Sequence, residues 1–164
     1  MGRWSRDELE QAFANYQAVA LCGGTSGDWN PWADLFTEDA TYVEAHYGLF
    51  GGREAIRRWI TTTMAEYPNN EMPHFPIDWY LIDEERAWVV CKVWNRMQDP
   101  GDGSIHQEYN FTLLKYAGSG KWSYEEDIYN PAHFATMIGG YLERKKELAG
   151  SDVLSPGGRP PPGP

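Results

Sequence analysis

Apolar residues recur at helical spacing in the first third of the chain and mostly at strand spacing beyond it. Ser5-Arg6-Asp7-Glu8 forms a capping box, Ser at the cap and Glu three residues later. Leu9, Phe13, Tyr16 and Ala20 follow on one face, so the pattern predicts a first helix stopped by Gly23-Gly24. Asn30-Pro31 opens a short second helix with Trp32, Leu35 and Phe36 on its apolar side. Ala40 to Tyr47 reads as a strand. A third helix is expected from Arg53 to Tyr67, carrying Ile56, Trp59, Ile60 and Met64, and ended by Pro68-Asn69-Asn70.

The period then changes to two. Phe75 to Asp83, Ala87 to Met97, Ile105 to Tyr116 and Lys121 to Tyr129 are rich in β-branched and aromatic residues, with turn residues between them. Connections this short make the four strands antiparallel neighbours. Asn130-Pro131 opens a last helix bearing Phe134, Met137, Ile138, Tyr141 and Leu142, closing at Arg144-Lys145-Lys146. From Gly150 to Pro164 the composition turns to Gly and Pro, which predicts a disordered tail. The order of elements implies an α+β fold in which a curved antiparallel sheet wraps around three N-terminal helices, with a further helix at the C-terminal end.

Strand parity sorts the side chains. A hairpin pairing Tyr116 with Lys121 sets Asn110 opposite Asp127, Thr112 opposite Glu125 and Glu108 opposite Tyr129, all on one side with Leu114 and Ser123. The preceding hairpin adds Asn95, His106, Val89, Cys91 and Val93. That side is apolar at one end and polar at the other, as a ligand pocket would be. Asp127 beside Asn110 suits proton transfer, because burial raises a carboxyl pKa toward neutrality. Tyr16, on the apolar stripe of the first helix, is a candidate hydrogen-bond donor. Tyr42 on the first strand, Trp32, Trp59 and His74 are further candidates for the wall or mouth, and Glu44 is open between an inward and a solvated position. The other side of the sheet collects Trp88, Val90, Trp94, Tyr109, Phe111, Leu113, Trp122, Tyr124 and Ile128. Two partly apolar sides need two covers, helices on one and most simply a second copy of the chain on the other.

Composition narrows the function. Among 164 residues, 14 basic side chains face 24 acidic ones, a formal net charge of -10, which argues against nucleic acid and anionic lipid as partners. No apolar run approaches the roughly 18 residues of a membrane helix, and no basic-then-apolar leader precedes Ser5, so the expected location is cytoplasmic. Cys22 and Cys91 read as two reduced thiols. No metal-ligand spacing, phosphate-binding loop or nucleophile elbow occurs, so neither a metal nor a nucleotide cofactor is expected. Aromatic residues reach 15% of the chain. The two-sided sheet absorbs much of that excess.

The segments Trp32-Ala33-Asp34-Leu35-Phe36-Thr37-Glu38-Asp39-Ala40-Thr41-Tyr42, Gly51-Gly52-Arg53-Glu54-Ala55-Ile56 and Glu126-Asp127-Ile128-Tyr129-Asn130-Pro131 resemble the nuclear transport factor 2-like superfamily. The nearest branch is similar to the SnoaL-like group of polyketide cyclases, with relatives of ketosteroid isomerase, scytalone dehydratase and limonene epoxide hydrolase. The resemblance spans residues 5–148. It implies a cone closed around a mostly apolar cavity, commonly in dimers packed sheet to sheet. It places Asp127 at the acid/base position of the last strand and Tyr16 near the helix-1 tyrosine that isomerases use as an oxyanion donor. Other positions depart from the family. The isomerase base position falls on Ala45, beside Glu44. The epoxide-hydrolase Asp-Arg-Asp set falls on Val93 and Asn95 in the middle strand, and the dehydratase histidines have only His74 and His106 as loose counterparts.

Two functions follow. One is a cofactor-independent acid/base enzyme of cyclase, isomerase or dehydratase type on a hydrophobic polyketide- or steroid-like molecule, with Asp127, Asn110 and Tyr16 at its centre. Asn95, His106, Glu108, Tyr129, His74, Trp32, Trp59 and Tyr42 would bind the substrate. The other is a non-catalytic dimeric ligand-binding or accessory module on the same fold.

Overall fold

A computed structural model describes residues 2–153. The fold is α+β, four helices against a six-stranded curved sheet. The chain runs α1 (Arg6–Ser26), α2 (Asn30–Ala33), β1 (Phe36–Glu44), β2 (Gly48–Gly51), α3 (Arg53–Thr63), a 3-10 turn (Asn69–Glu71), β3 (Ile77–Asp83), β4 (Trp88–Arg96), β5 (Gln107–Gly118), β6 (Lys121–Ile128) and α4 (Pro131–Val153). The sheet order is β2-β1-β6-β5-β4-β3. All pairs are antiparallel except β1 with β6, which is parallel and joins the two halves of the chain.

Local chemistry explains most boundaries. Ser5 caps α1, its hydroxyl accepting the Glu8 N–H at 3.2 Å. Gly23-Gly24 does not stop that helix, which continues to Ser26 and ends on Gly27 in the left-handed region, φ 80°. The glycine pair serves packing instead. A Cβ on Gly23 would lie 2.9 Å from the Trp29 ring, and one on Gly24 would lie 2.2 Å from the Pro73 carbonyl oxygen. Helix α2 is shorter than expected, releasing Leu35 as a linker and Phe36 to β1, whose exposed Glu38-Asp39 conceals its start. Helix α3 stops at Thr63, where the β-branched run Thr61-Thr62-Thr63 weakens helix propensity. Gly48 to Gly52, read as a connection, holds β2, a four-residue edge strand. Asn130 caps α4, accepting the Ala132 N–H at 3.0 Å, and the helix runs past Lys146 to Val153. The expected disordered tail lies, from residue 154 on, outside the described residues.

The β5–β6 hairpin departs from the expected register by two residues. Gly118 pairs with Lys121 around a two-residue turn, with Ser119 and Gly120 both at positive φ (54° and 72°), the twist a tight hairpin favours. Asp127 therefore stands opposite Thr112, not Asn110, and Leu114 stands opposite Glu125. An even shift keeps every side chain on its expected side. Two offsetting bulges near the turn break that rule for one residue. Ser123 is the extra residue on β6, so Trp122 turns inward and is fully buried instead of lying on the outer face. The core packs Leu9, Phe13, Phe36, Ile56, Leu114 and Trp122 between helices and the concave side of the sheet.

Candidate functional site

The helices do not fill the concave side. A cavity of about 350 Å³ remains, reached by residues of all four helices and of every strand except the edge strand β2. Its apolar wall includes Trp29, Trp32, Trp59, Phe75, Val93 and Ile138. Its polar wall lies where β1, β6 and β5 run side by side, since alternate side chains of neighbouring strands stack on one face.

Asp127 is the hub of that wall. Its Oδ1 accepts from Asn110 Nδ2 at 2.7 Å and from the Thr112 hydroxyl, while its Oδ2 accepts from the Tyr42 hydroxyl. Asn110 also donates to Thr112 Oγ1 at 2.8 Å and accepts from Asn95 Nδ2 at 2.6 Å, so a polar row crosses from β4 to β6. Burial pushes the Asp127 carboxyl up to about 6, against the opposing pull of its hydrogen-bond donors, with Glu44 adding to the rise.

Two more carboxyl groups share the cavity. Glu125, 2% exposed, accepts the Tyr16 hydroxyl on Oε1 at 2.7 Å, and its Oε2 has no partner. Burial first, then the Asp127 charge, raises Glu125 well above the usual carboxyl range. Glu44 takes the backbone N–H groups of His46 (2.7 Å) and Tyr47 (2.6 Å) on Oε2 and the Tyr129 hydroxyl on Oε1. Burial, then nearby carboxylates, raises the Tyr16 and Tyr42 phenols well above their ordinary values. Burial and the Glu44 hydrogen bond do the same to Tyr129. These phenols are therefore proton donors in hydrogen bonds.

Of the sequence candidates, Asp127, Asn110, Tyr16, Asn95, Tyr129, Trp32, Trp59 and Tyr42 come together at this cavity. His106, Glu108 and His74 do not. Helix α4 crosses that end of the sheet. Its Phe134 and Ile138 border the main cavity, whereas His133 and Met137 enclose His106 and Glu108 in a separate shallow pocket. His74 is exposed, its carbonyl accepting the Arg96 N–H at 2.9 Å in an isolated bridge. Glu125 was legible by parity, two residues before Asp127 on the same face, but a carboxyl among aromatic residues gives no sign of its burial from sequence. Glu44 points inward and is 6% exposed. Among the described residues no group of three His, Cys, Asp or Glu side chains is placed to hold a metal ion, and no helix is long and apolar enough to cross a membrane.

The sequence of a SnoaL-like domain matches residues 4–126, three quarters of the chain. The chain belongs to the SnoaL-like domain family. Solved structures agree on the fold. A Bacillus subtilis protein described as an isomerase superposes with TM-score 0.63 at 14% identity, covering 82% of this chain and 94% of that one. The epoxide hydrolase/cyclase-like enzyme SalBIII, of pyran ring formation in the polyether salinomycin, gives 0.59 at 14% identity, covering 79% and 95%. TerC, co-crystallized with polyporic acid, gives 0.58 at 13%, covering 80% and 98%. None of the curated proteins compared with the chain matches it. Likeness at identities this low shows the fold alone.

Proposed function

We propose that this SnoaL-like protein binds a hydrophobic polyketide- or steroid-like molecule in its cone and moves a proton to or from it through Asp127. One observation carries the reading: a buried carboxyl on the wall of an apolar cavity, held at about 6, where it exchanges a proton near neutral pH. Asn110 and Thr112 fix the carboxyl plane, and Tyr42 completes its support. The descriptions of SalBIII as cyclase-like and of the Bacillus subtilis protein as an isomerase agree with chemistry of this class.

The proposal includes a homodimer through the outer sheet face. Trp79, Leu81, Tyr109, Phe111 and Ile128 are exposed there, an apolar patch that a second copy would bury. A second reading, a non-catalytic binding module, is favoured by the full set of donors around Asp127, which also suits a structural carboxylate.

Calorimetric titration with 2-acetylnaphthalene between about pH 4.5 and 8 separates the two. Acid/base function predicts an inflection in affinity near pH 6 that disappears in Asp127→Asn. Binding that is flat with pH and the same in both proteins supports the module and rules out the acid/base role.

A further inference from the structure

Two side chains on the cavity wall carry a buried polar atom without a hydrogen-bond partner, Oε2 of Glu125 and Nε1 of Trp59. Buried polar groups are nearly always paired, so each such atom in a ligand cavity indicates what the ligand supplies. An indole N–H can only donate. Glu125 can do either, and its surroundings decide which.

Three carboxyl groups line this cavity and no lysine or arginine does. Asp127 receives three hydrogen bonds, from Tyr42, Thr112 and Asn110, and Glu44 receives three, from two backbone N–H groups and Tyr129. Glu125 receives one well-formed bond, from Tyr16; the Tyr42 hydroxyl is near enough to stabilise its charged form as well, but gives its proton to Asp127. Donated hydrogen bonds stabilise a carboxylate, whereas burial without them favours the neutral acid. The titratable groups facing Glu125 are Asp127 on its own strand, Tyr16 from α1, Tyr42 from β1 and Cys91 from β4, none of which brings a positive charge. Of the three acids, this geometry favours Glu125 as the one that keeps its proton.

We propose that Glu125 is a ligand-binding residue held as a neutral carboxylic acid, Tyr16 fixing Oε1 and the O–H on Oε2 reaching an oxygen acceptor of the ligand, so that the cavity selects hydrophobic carbonyl compounds over hydrocarbons and over organic cations. The inference rests on the ligand-cavity reading above and specifies the substrate class. Tyr16 then acts as a positioning residue, because its own proton is committed to Glu125. The Trp59 N–H adds a second donor, so both orphan groups ask for the same kind of partner.

The test uses three probes of one shape: 2-acetylnaphthalene, 2-isopropylnaphthalene and trimethyl(2-naphthyl)ammonium. Wild type binds the ketone roughly five- to tenfold more tightly than the hydrocarbon, the worth of one neutral hydrogen bond, and binds the cation weakest. Glu125→Gln keeps that order, because an amide reproduces the neutral acid, an acceptor toward Tyr16 and a donor toward the ligand. Glu125→Leu removes the preference for the ketone. Infrared difference spectra at about pH 8, where Asp127 is ionised, show a carboxylic-acid C=O band in wild type that is missing in Glu125→Gln. The band and the Gln variant decide the matter if the Leu variant fails to fold. Absence of the band overturns the proposal, as does a cation that binds tightest and is lost on Glu125→Gln. Equal binding of ketone and hydrocarbon overturns the proposal and leaves the cavity reading intact. Binding of none of the three overturns both.

Discussion

The Tyr42 hydroxyl donates to Oδ2 of Asp127 across the parallel β1–β6 pair, although 85 residues separate them in sequence. The contact is diagonal: in the strand register Tyr42 stands beside Glu125 and Glu44 beside Asp127. Tyr129 makes the same diagonal one step further along, to Glu44. One tyrosine from each chain segment thus braces the two acids, Glu44 and Asp127, that share a rung of the sheet. Acids with satisfied oxygens tolerate burial that would otherwise be costly.

Removing one brace shifts the titration. Tyr42 lowers the Asp127 pKa by hydrogen bonding, so Tyr42→Phe moves the inflection of probe binding above pH 6. The same change leaves a buried acceptor short of a donor and lowers stability by about 1–3 kcal/mol in urea unfolding. An unmoved inflection contradicts the assignment of that inflection to Asp127.

Stability itself depends on pH through Asp127. Its folded value, about 6, lies above its ordinary value of 3.8, so the folded chain binds more protons between the two. Stability contributed by this group is present at low pH and is lost as pH rises through 6, by roughly 3 kcal/mol at most. Glu125 acts in the same direction. Urea midpoints of wild type and Asp127→Asn therefore diverge as pH rises from about 4 to 7, with wild type losing more. Parallel midpoints would contradict the burial argument.

Glycine positions in two helices predict opposite signs. Ala at Gly139 meets nothing within 4 Å and gains helix propensity, about 1 kcal/mol. Ala at Gly24 drives its Cβ to 2.2 Å from the Pro73 carbonyl oxygen, and α1 must shift away from the β3 approach. Gly24→Ala loses at least about 1–3 kcal/mol despite its better propensity. Thermal melts of the two variants check the pair.

The proposed dimer has its own test. Phe111 lies on the outer face, 38% exposed, between Trp79 and Tyr109 in ring contact. Sedimentation is expected to give a dimer for wild type and a monomer for Phe111→Glu, with unchanged circular dichroism and probe binding. A wild-type monomer removes the dimer from the proposal.

Much of the architecture was legible because binary patterns survive small errors. The Asn110, Thr112 and Asp127 cluster emerged from parity although the hairpin register was two residues off, since an even shift leaves faces unchanged. Trp122 was misplaced because a bulge adds one residue, and nothing in Lys121-Trp122-Ser123 announces it. Gly23-Gly24 mimics a helix stop although tertiary packing requires it. His106 and Glu108 share the expected face but not the cavity, since only the placement of α4 divides that face in two. Glu44 was undecidable because its burial depends on Tyr129 and on backbone donors in the turn after β1.

The parallel seam between β1 and β6 also orders events during synthesis. Strand β1 appears early from the ribosome and must wait for β6, so Tyr42 and Glu44 spend that interval beside an unfilled sheet position. Long-range pairings of this kind form late. A nascent chain halted before Lys121 has most of its helices and strands but no Glu125 or Asp127, and half a cavity wall. Ligand capture is thereby a signature of finished folding, and a bound ligand would favour the completed chain over every shorter intermediate.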